Sequence, residues 1–475
     1  MHINWKVILI LVPVILLSCI IFWKLGTVRK NYSYDVGSGL DSLIDDYIQK
    51  YFDTIHSEGI SVGVTTSDEV IVNRQYGHAV SGDEQYVIGS VSKSFTALSV
   101  MQLVDRGEIE LEAPISRYLK DEKSEIADKI TVRQLLNHVS GIGVNDIDLN
   151  YVEEKSECGF EYSNFNYNLL GRIVENVSNL SFAEYLSENI FKPLDMLNST
   201  GVASSVNIKG YQGYFGFNVK KANSLSEKQK MIKAPSGYIV STTNDMCKYL
   251  RMFLNGGVYN DKRIISEESL NEIFSFVSDA SSDEVSGGMF SGCAHYGMGW
   301  IEREYKGEKI WFHSGKVKNF NSMMVLIPNR NYGFIFLNNT GNFLAGTDLF
   351  EEMTENAVRL GLKDEPKSMN GITYFSKYLI LDVVMLAVIM LLLFNLKGMF
   401  GIADDVLPMK LIKIASLLLY SLGIGEYIRY LTSKKMSLTE LLDFVPDVWW
   451  FLNISTAIMA VTIISAIYNL MSSKK

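Results

Sequence analysis

The sequence predicts one large α+β domain set between apolar segments at both ends of the chain, and three observations carry that expectation. Runs of strand composition occur early and late in the middle region, with helical spacing between them. Four long apolar blocks lie outside that region, one at the start and three near the end. The whole chain of 475 residues is 47% hydrophobic and 20% charged, with a mean hydropathy of +0.10, an average over two unlike parts.

Taken in order, the first block is Val7 to Trp23, flanked by Lys6 and Lys24. At about 17 residues it is at the short end for a bilayer crossing. The bulky Ile20-Ile21-Phe22-Trp23 offers no small-residue cleavage site, so residues 1–30 are expected to be an anchor rather than a processed signal segment. Gly59 to Thr65, followed by Glu69 to Val72, reads as a hairpin. Ser92 to Arg106 has helical spacing, with Phe95, Leu98, Met101, Leu103 and Val104 forming an apolar face. Pro193 and Gly256-Gly257 punctuate further helical runs. Ser322 to Ile327 and Tyr332 to Leu337 read as paired strands around Pro328 to Asn331, and Asp348 to Leu360 as an amphipathic helix. Strands at both ends of the region are expected to share one sheet, in a domain over 31–365 of roughly 330 residues, enough for a substantial core.

Residues 366–475 hold the blocks Tyr378 to Leu396, Leu411 to Leu431 and Val448 to Met471. Each is about 19 to 24 residues, so three transmembrane helices are expected there. With the first block they make four crossings, which put both termini on one side. Lys397, Lys410, Lys413, Lys474 and Lys475 compete with Arg429, Lys434 and Lys435, so the placement of Lys and Arg does not decide alone, and cytoplasmic termini are the better fit. The expectation is a multi-pass protein of the cell membrane, in contact with the lipid bilayer, whose middle domain is extracytoplasmic.

A net charge of -9 argues against a nucleic-acid partner, which needs a basic face to neutralise phosphates. Four Cys are too few for a disulfide scaffold. No His/Cys/carboxylate cluster has metal-ligand spacing, and no cofactor is expected.

Three short segments can carry chemistry. Ser90 and Lys93 are spaced to share one face of a helix start. A desolvated Lys has a lowered pKa and can take the Ser proton, and a helix N-terminus offers N–H groups to a developing oxyanion. The same spacing at Ser472 and Lys475 is only a polar tail, so the pattern needs company. Tyr162 and Asn164 precede a helical run from Tyr167; a phenol beside cations can share a proton-transfer role, and an Asn can bind an amide. His313-Ser314-Gly315-Lys316 precedes the late strands, where a Gly lets a substrate backbone approach.

Ser90-x-x-Lys93, Tyr162-x-Asn164 and His313-Ser314-Gly315, in that order, resemble the three active-site elements of the penicillin-recognising serine hydrolases, in the branch of class C β-lactamases, DD-peptidases, D-aminopeptidases and related esterases. Ile130 to Ile142, Pro235 to Met246 and Tyr296 to Trp300 also look like that branch, and the resemblance covers roughly residues 45 to 360. It implies a β-lactamase/transpeptidase-like fold, an antiparallel sheet flanked by helices plus a helical subdomain. It implies Ser90 as acylated nucleophile, Lys93 as proton acceptor, Tyr162 as activator of Ser90 or of water, and Asn164 as holder of the substrate amide. His313, Ser314, Gly315 and Lys316 would bind substrate, and the N–H groups of Ser90 and Lys316 would form the oxyanion hole. His313 departs from the Lys usual in β-lactamases and is a weaker carboxylate anchor; either Lys316 compensates or its side chain points to solvent. His138 is expected to be structural, bonding loop backbone.

The implied substrates are small peptides or peptidoglycan-like compounds, D-amino-acid-containing peptides or esters. An N-terminal segment, this domain and three trailing spans resemble the architecture of the colibactin-maturing peptidase, which implies an alternative, removal of an N-acyl-D-amino-acid cap from a peptide natural product. An alternative of another class is a non-catalytic receptor for β-lactams or wall fragments.

Overall fold

A computed structural model describes residues 38–369, apart from 121, 123, 145, 153–158, 203–207, 215–218, 224–233, 282–288 and 342–345, together with scattered positions between 383 and 393 and between 448 and 461. The expected spans Val7 to Trp23 and Leu411 to Leu431 lie outside the described residues, as do most of Tyr378 to Leu396 and the end of Val448 to Met471. Residues 448–458 are helical. Among the described residues no helix is long and apolar enough to cross a membrane.

The domain is organised on an eight-stranded sheet. Its strands are β1 Gly59–Thr65, β2 Val70–Gly77, β3 Ser278–Asp279, β4 His295–Gly297, β5 Trp300–Tyr305, β6 Glu308–Val317, β7 Phe320–Ile327 and β8 Tyr332–Asn338. The order across the sheet is β2-β1-β8-β7-β6-β5-β4-β3, and every neighbouring pair is antiparallel. The first and last long strands are therefore neighbours, with Ile60 opposite Asn338 and Thr65 opposite Gly333. This is the shared sheet expected from the strand-like runs at both ends of the domain.

The central strands are largely buried because both faces are covered, and β7 carries a continuous apolar run from Met323 to Ile327. All of β7 is buried. Met323, Val325 and Ile327 enter the core beneath α1 (Leu40–Ile55) and α5 (Gly346–Gly361), whereas Met324 and Leu326 enter the larger helical core. That second core holds α2 (Ser92–Asp105), α3 (Asn164–Ser178) and α4 (Thr243–Leu254). The face of α4 lies so near β1 that a Cβ at Gly63 would sit 2.6 Å from the Cys247 sulfur.

One expectation is corrected. The spacing in α2 suggested a single apolar face, yet every residue from Ser92 to Leu103 is buried. The helix is surrounded rather than laid on a surface. Its small polar side chains are accommodated by backbone carbonyls: Ser94 donates to Val91 at 2.8 Å, Ser99 to Phe95 at 2.8 Å and Thr96 to Pro235 at 2.7 Å. Cys247 and Cys293 are free thiols, and Cys158 lies outside the described residues.

Candidate active site

Ser90 lies in a 3-10 turn, Gly89–Val91, that runs directly into α2. Two glycines let this turn touch β6 backbone to backbone. Gly89 has φ +54°, and a Cβ there would lie 2.6 Å from the Lys316 nitrogen. A Cβ at Gly315 would lie 2.1 Å from the Ile88 carbonyl oxygen, to which Ser322 donates at 2.7 Å. The main chain of Lys316 thus runs beside the turn that carries Ser90.

One helical turn beyond Ser90, Lys93 is wholly buried. Its Nζ donates to Ser90 Oγ at 3.2 Å, to Asn164 Oδ1 at 2.7 Å and to the Ser236 carbonyl at 2.7 Å. None of these three acceptors is anionic. Burial with no counter-ion among them pushes the Lys93 pKa well below its ordinary value. Nζ also stands 4.7 Å from the centre of the Tyr162 ring and 5.5 Å from that of Tyr167. In the neutral amine, two N–H bonds satisfy the shorter contacts to Asn164 and Ser236, and the lone pair is left for the Ser90 hydroxyl proton.

The Ser236 carbonyl belongs to the turn Ala234–Tyr238, held from both sides. The Thr96 hydroxyl takes the neighbouring Pro235 carbonyl, and Ile239 N–H donates to Ser92 Oγ at 3.1 Å. Gly171 of α3 makes room for Pro235, whose Cγ would be 2.3 Å from a Cβ at that position. Sequence reading singled out the Pro235 to Met246 segment but not this carbonyl, because a backbone acceptor leaves no residue-type signal.

Tyr162 is buried just before α3, and Asn164 is the exposed first residue of that helix. The Asn164 amide oxygen is turned to Lys93, so its nearest partner here is the Lys93 amine. His313 is wholly buried on β6. Its Nδ1–H donates to the Ser314 carbonyl at 2.7 Å, leaving Nε2 to accept from the Tyr296 hydroxyl at 3.3 Å. Burial, then the nearby Lys93, push the His313 pKa down to about 3, so the ring is neutral.

Lys316 takes the outward one of its two orientations. Gly315 and its cross-strand partner Ser322 both face the Ser90 turn, so the next side chain along β6 points to the opposite face of the sheet. There the Lys316 ammonium pairs with Glu351 of α5 at 2.6 Å. Its side chain is not a carboxylate anchor beside Ser90, and what it brings to the site is its backbone. A separate cavity of about 710 Å³, at the far end of α2 beside Asp105, Arg106 and Arg263, touches none of these residues.

Comparison with known proteins gives a consistent set of relatives. The Beta-lactamase family model matches residues 44–350. "Protein flp" of Staphylococcus aureus (strain MW2) is 26% identical over 332 residues, which cover 63% of this chain and 62% of that protein. The chain therefore spans less than two thirds of the length of that relative. "Penicillin-binding protein 4" of Amycolatopsis lactamdurans is 26% identical over 346 residues, covering 64% of this chain and 88% of that protein. Among solved structures, the octameric penicillin-binding protein homologue from Pyrococcus abyssi superposes with a TM-score of 0.57 at 25% identity, covering 70% of this chain and 78% of that one. The D-stereospecific amidohydrolase from Streptomyces sp. has a TM-score of 0.52 at 21% identity, covering 63% and 94%, a likeness of fold.

Proposed function

We propose, for a chain that belongs to the Beta-lactamase family, that it is a serine hydrolase working through an acyl-enzyme on Ser90. The observation that carries this reading is the buried Lys93 amine, held between Ser90 Oγ and two uncharged acceptors. In the forward step the Ser90 hydroxyl proton passes to Lys93 Nζ as Oγ bonds to the substrate carbonyl carbon. Negative charge then develops on the carbonyl oxygen, next to the N–H groups of Ser90 and Lys316. Collapse breaks the bond to the leaving amine or alcohol, which departs with the proton. Water then attacks the ester on Ser90, giving up its proton to the base formed by Lys93 with Tyr162, and the acid product leaves as Ser90 regains its hydrogen.

The substrate class is D-amino-acid-containing peptides or esters, small or peptidoglycan-like. A relative named as a penicillin-binding protein supports this class. The neutral His313 and the outward Lys316 favour leaving groups without a free carboxylate, because no cation at these two positions faces Ser90. The four apolar blocks support anchorage in the cell membrane with the hydrolase domain extracytoplasmic. The narrower reading, removal of an N-acyl-D-amino-acid cap from a peptide natural product, has the order of the segments in its favour.

The test uses the full chain with a p-nitrophenyl ester, an N-acyl-D-Asn peptide and a D-Ala-D-Ala peptide, beside Ser90→Ala. Turnover of ester or peptide that disappears in Ser90→Ala is expected. Turnover of the N-acyl-D-Asn peptide alone selects the cap-removing reading. A stable penicillin adduct on Ser90 with no turnover of any substrate overturns the hydrolase in favour of a receptor.

A further inference from the structure

Among the buried titratable side chains of the site, His138 is one to which the mechanism gives no role. His138 is wholly buried and lies in the loop after the short helix Val132–Leu136. Its backbone has φ +57°, a left-handed conformation that a His adopts rarely. It is ringed by aromatic side chains, with centroids at 4.5 Å for Tyr162, 4.9 Å for Tyr296, 5.1 Å for Tyr167 and 5.8 Å for Phe160.

The proton position on this ring follows from its neighbours. Ser163 N–H points at Nδ1 from 3.1 Å, so Nδ1 is an acceptor. The Asn166 side chain approaches the same nitrogen at 3.2 Å. The Ser140 hydroxyl donates to Asn166 Oδ1 at 2.9 Å, which leaves the Asn166 NH₂ facing His138. Two donors therefore converge on Nδ1, and the ring hydrogen must be on Nε2. Nε2 has no hydrogen-bond partner among the described residues and looks into the aromatic cluster. The backbone adds a further tie, since Glu161 N–H donates to the His138 carbonyl at 2.9 Å. His138 thus grips the residues on both sides of Tyr162.

We infer that His138 is a positioning residue: locked in one neutral tautomer, it fixes the Tyr162 ring against Lys93 and keeps water from the amine. The inference rests on the acyl-enzyme reading above. Protonating Nδ1 would set a third N–H against those of Ser163 and Asn166, so the lock resists charging. The titratable groups facing the ring are Lys93 from α2, Tyr162 before α3, Tyr167 on α3, Tyr296 on β4 and His313 on β6. Burial first, then Lys93 and His313, hold the His138 pKa well below its ordinary value, in the same direction as the lock. Three basic side chains can then share one dry pocket because none of them carries charge while Lys93 acts as a base.

The experiment compares the full chain with His138→Ala, His138→Gly and His138→Asn, measuring the rate at which a fluorophosphonate probe labels Ser90 across pH, with thermal unfolding alongside. Gly relieves the left-handed backbone but supplies no acceptor, whereas Asn tolerates that backbone and returns an acceptor. His138→Ala and His138→Gly should label about 100-fold more slowly per folded molecule, the cost of a misplaced reacting group. Their rising pH limb should move upward, because water reaching Lys93 returns its pKa toward the ordinary range. His138→Asn should recover most of the rate. If Ala destabilises the fold too far to assay, the Gly and Asn variants decide. Gly labelling as fast as Asn with an unmoved pH limb would reduce His138 to backbone support and overturn the inference. Wild-type protein that takes no label contradicts the acyl-enzyme reading and this role together, whereas labelled wild type with equally reactive variants contradicts only the role of His138.

Discussion

Two clusters of titratable side chains lie on opposite faces of the same sheet, and burial acts on them in opposite ways. On the helical face, Lys93, His138 and His313 are wholly buried with no carboxylate bonded to any of them. Desolvation is the largest cause for each, and all three are driven toward the neutral form. Behind the sheet, Arg359 of α5 pairs with Glu355 at 2.6 Å and with Asp364 at 2.9 Å, and Lys306 pairs with Asp364 at 2.6 Å. Burial works against the charges there too, but it is outweighed: hydrogen bonds from Lys306 and Tyr305 bring Asp364 down to about 2, and Glu355 raises Arg359. The two clusters differ in depth as well as in partners: Lys93, His138 and His313 are wholly buried, whereas the paired charges lie nearer the surface and each has an opposite charge beside it. A paired charge stays charged and ties the segment after α5 to the domain. An unpaired one is driven toward its neutral form.

The sharpest way to break this contrast is to remove the Lys93 amine, the proposed base. Lys93→Met should slow Ser90 acylation by about a thousandfold, in the range of a lost general base. The same variant has a stability signature. Lys93 is lowered in the folded protein and ordinary when unfolded, so below about pH 10 the unfolded chain binds more protons and the wild type is penalised. The Met variant should gain in Tm relative to wild type as pH falls from 10 toward 7. A difference in Tm that does not vary with pH contradicts a neutral buried Lys93.

The paired cluster should respond in reverse. Arg359→Met leaves Glu355 and Asp364 short of a cation and should cost about 3 kcal/mol in urea unfolding. Ser90 labelling per folded molecule should be unchanged. Asp364→Asn removes a contribution complete above the ordinary value of 3.8 and lost as pH falls through about 2, so variant and wild-type stabilities should converge in acid. Smaller again is Gly171→Ala, whose added methyl meets Pro235 and shifts the turn bearing the Ser236 carbonyl. We expect a cost of about 1–3 kcal/mol from overpacking and a roughly tenfold fall in labelling from a displaced Lys93. Lys316→Ala should be the mildest: labelling within about twofold of wild type and less than about 1 kcal/mol of stability, because its partly exposed ammonium bonds Glu351 on the far face. A large loss of labelling would put that side chain back beside Ser90.

How much of this was legible in the sequence follows from what residue types can signal. Ser90/Lys93 and Tyr162/Asn164 are each weak patterns alone, and they became legible through their joint order with His313-Ser314-Gly315, which resembles the penicillin-recognising serine hydrolases. The hairpins at both ends of the domain were legible from apolar runs broken by turn residues. Periodicity misjudged α2, because a helix buried all round hides its small polar residues among backbone carbonyls. The Ser236 carbonyl, the convergence of Ser163 and Asn166 on His138, and the pairing of Lys316 with Glu351 depend on long-range contacts that no local pattern encodes. Strict alternation along β6 was the one available hint that Lys316 and Gly315 face opposite ways.

The central claim is that Ser90 is activated by a neutral Lys93, and the most direct measurement is the pH dependence of fluorophosphonate labelling of the full chain, with the adduct located by mass spectrometry. The account predicts a single adduct on Ser90, absent from Ser90→Ala, whose rate reaches its plateau well below the ordinary lysine pKa of about 10.4. A rate that climbs only through that ordinary value, or an adduct on another residue, would contradict it.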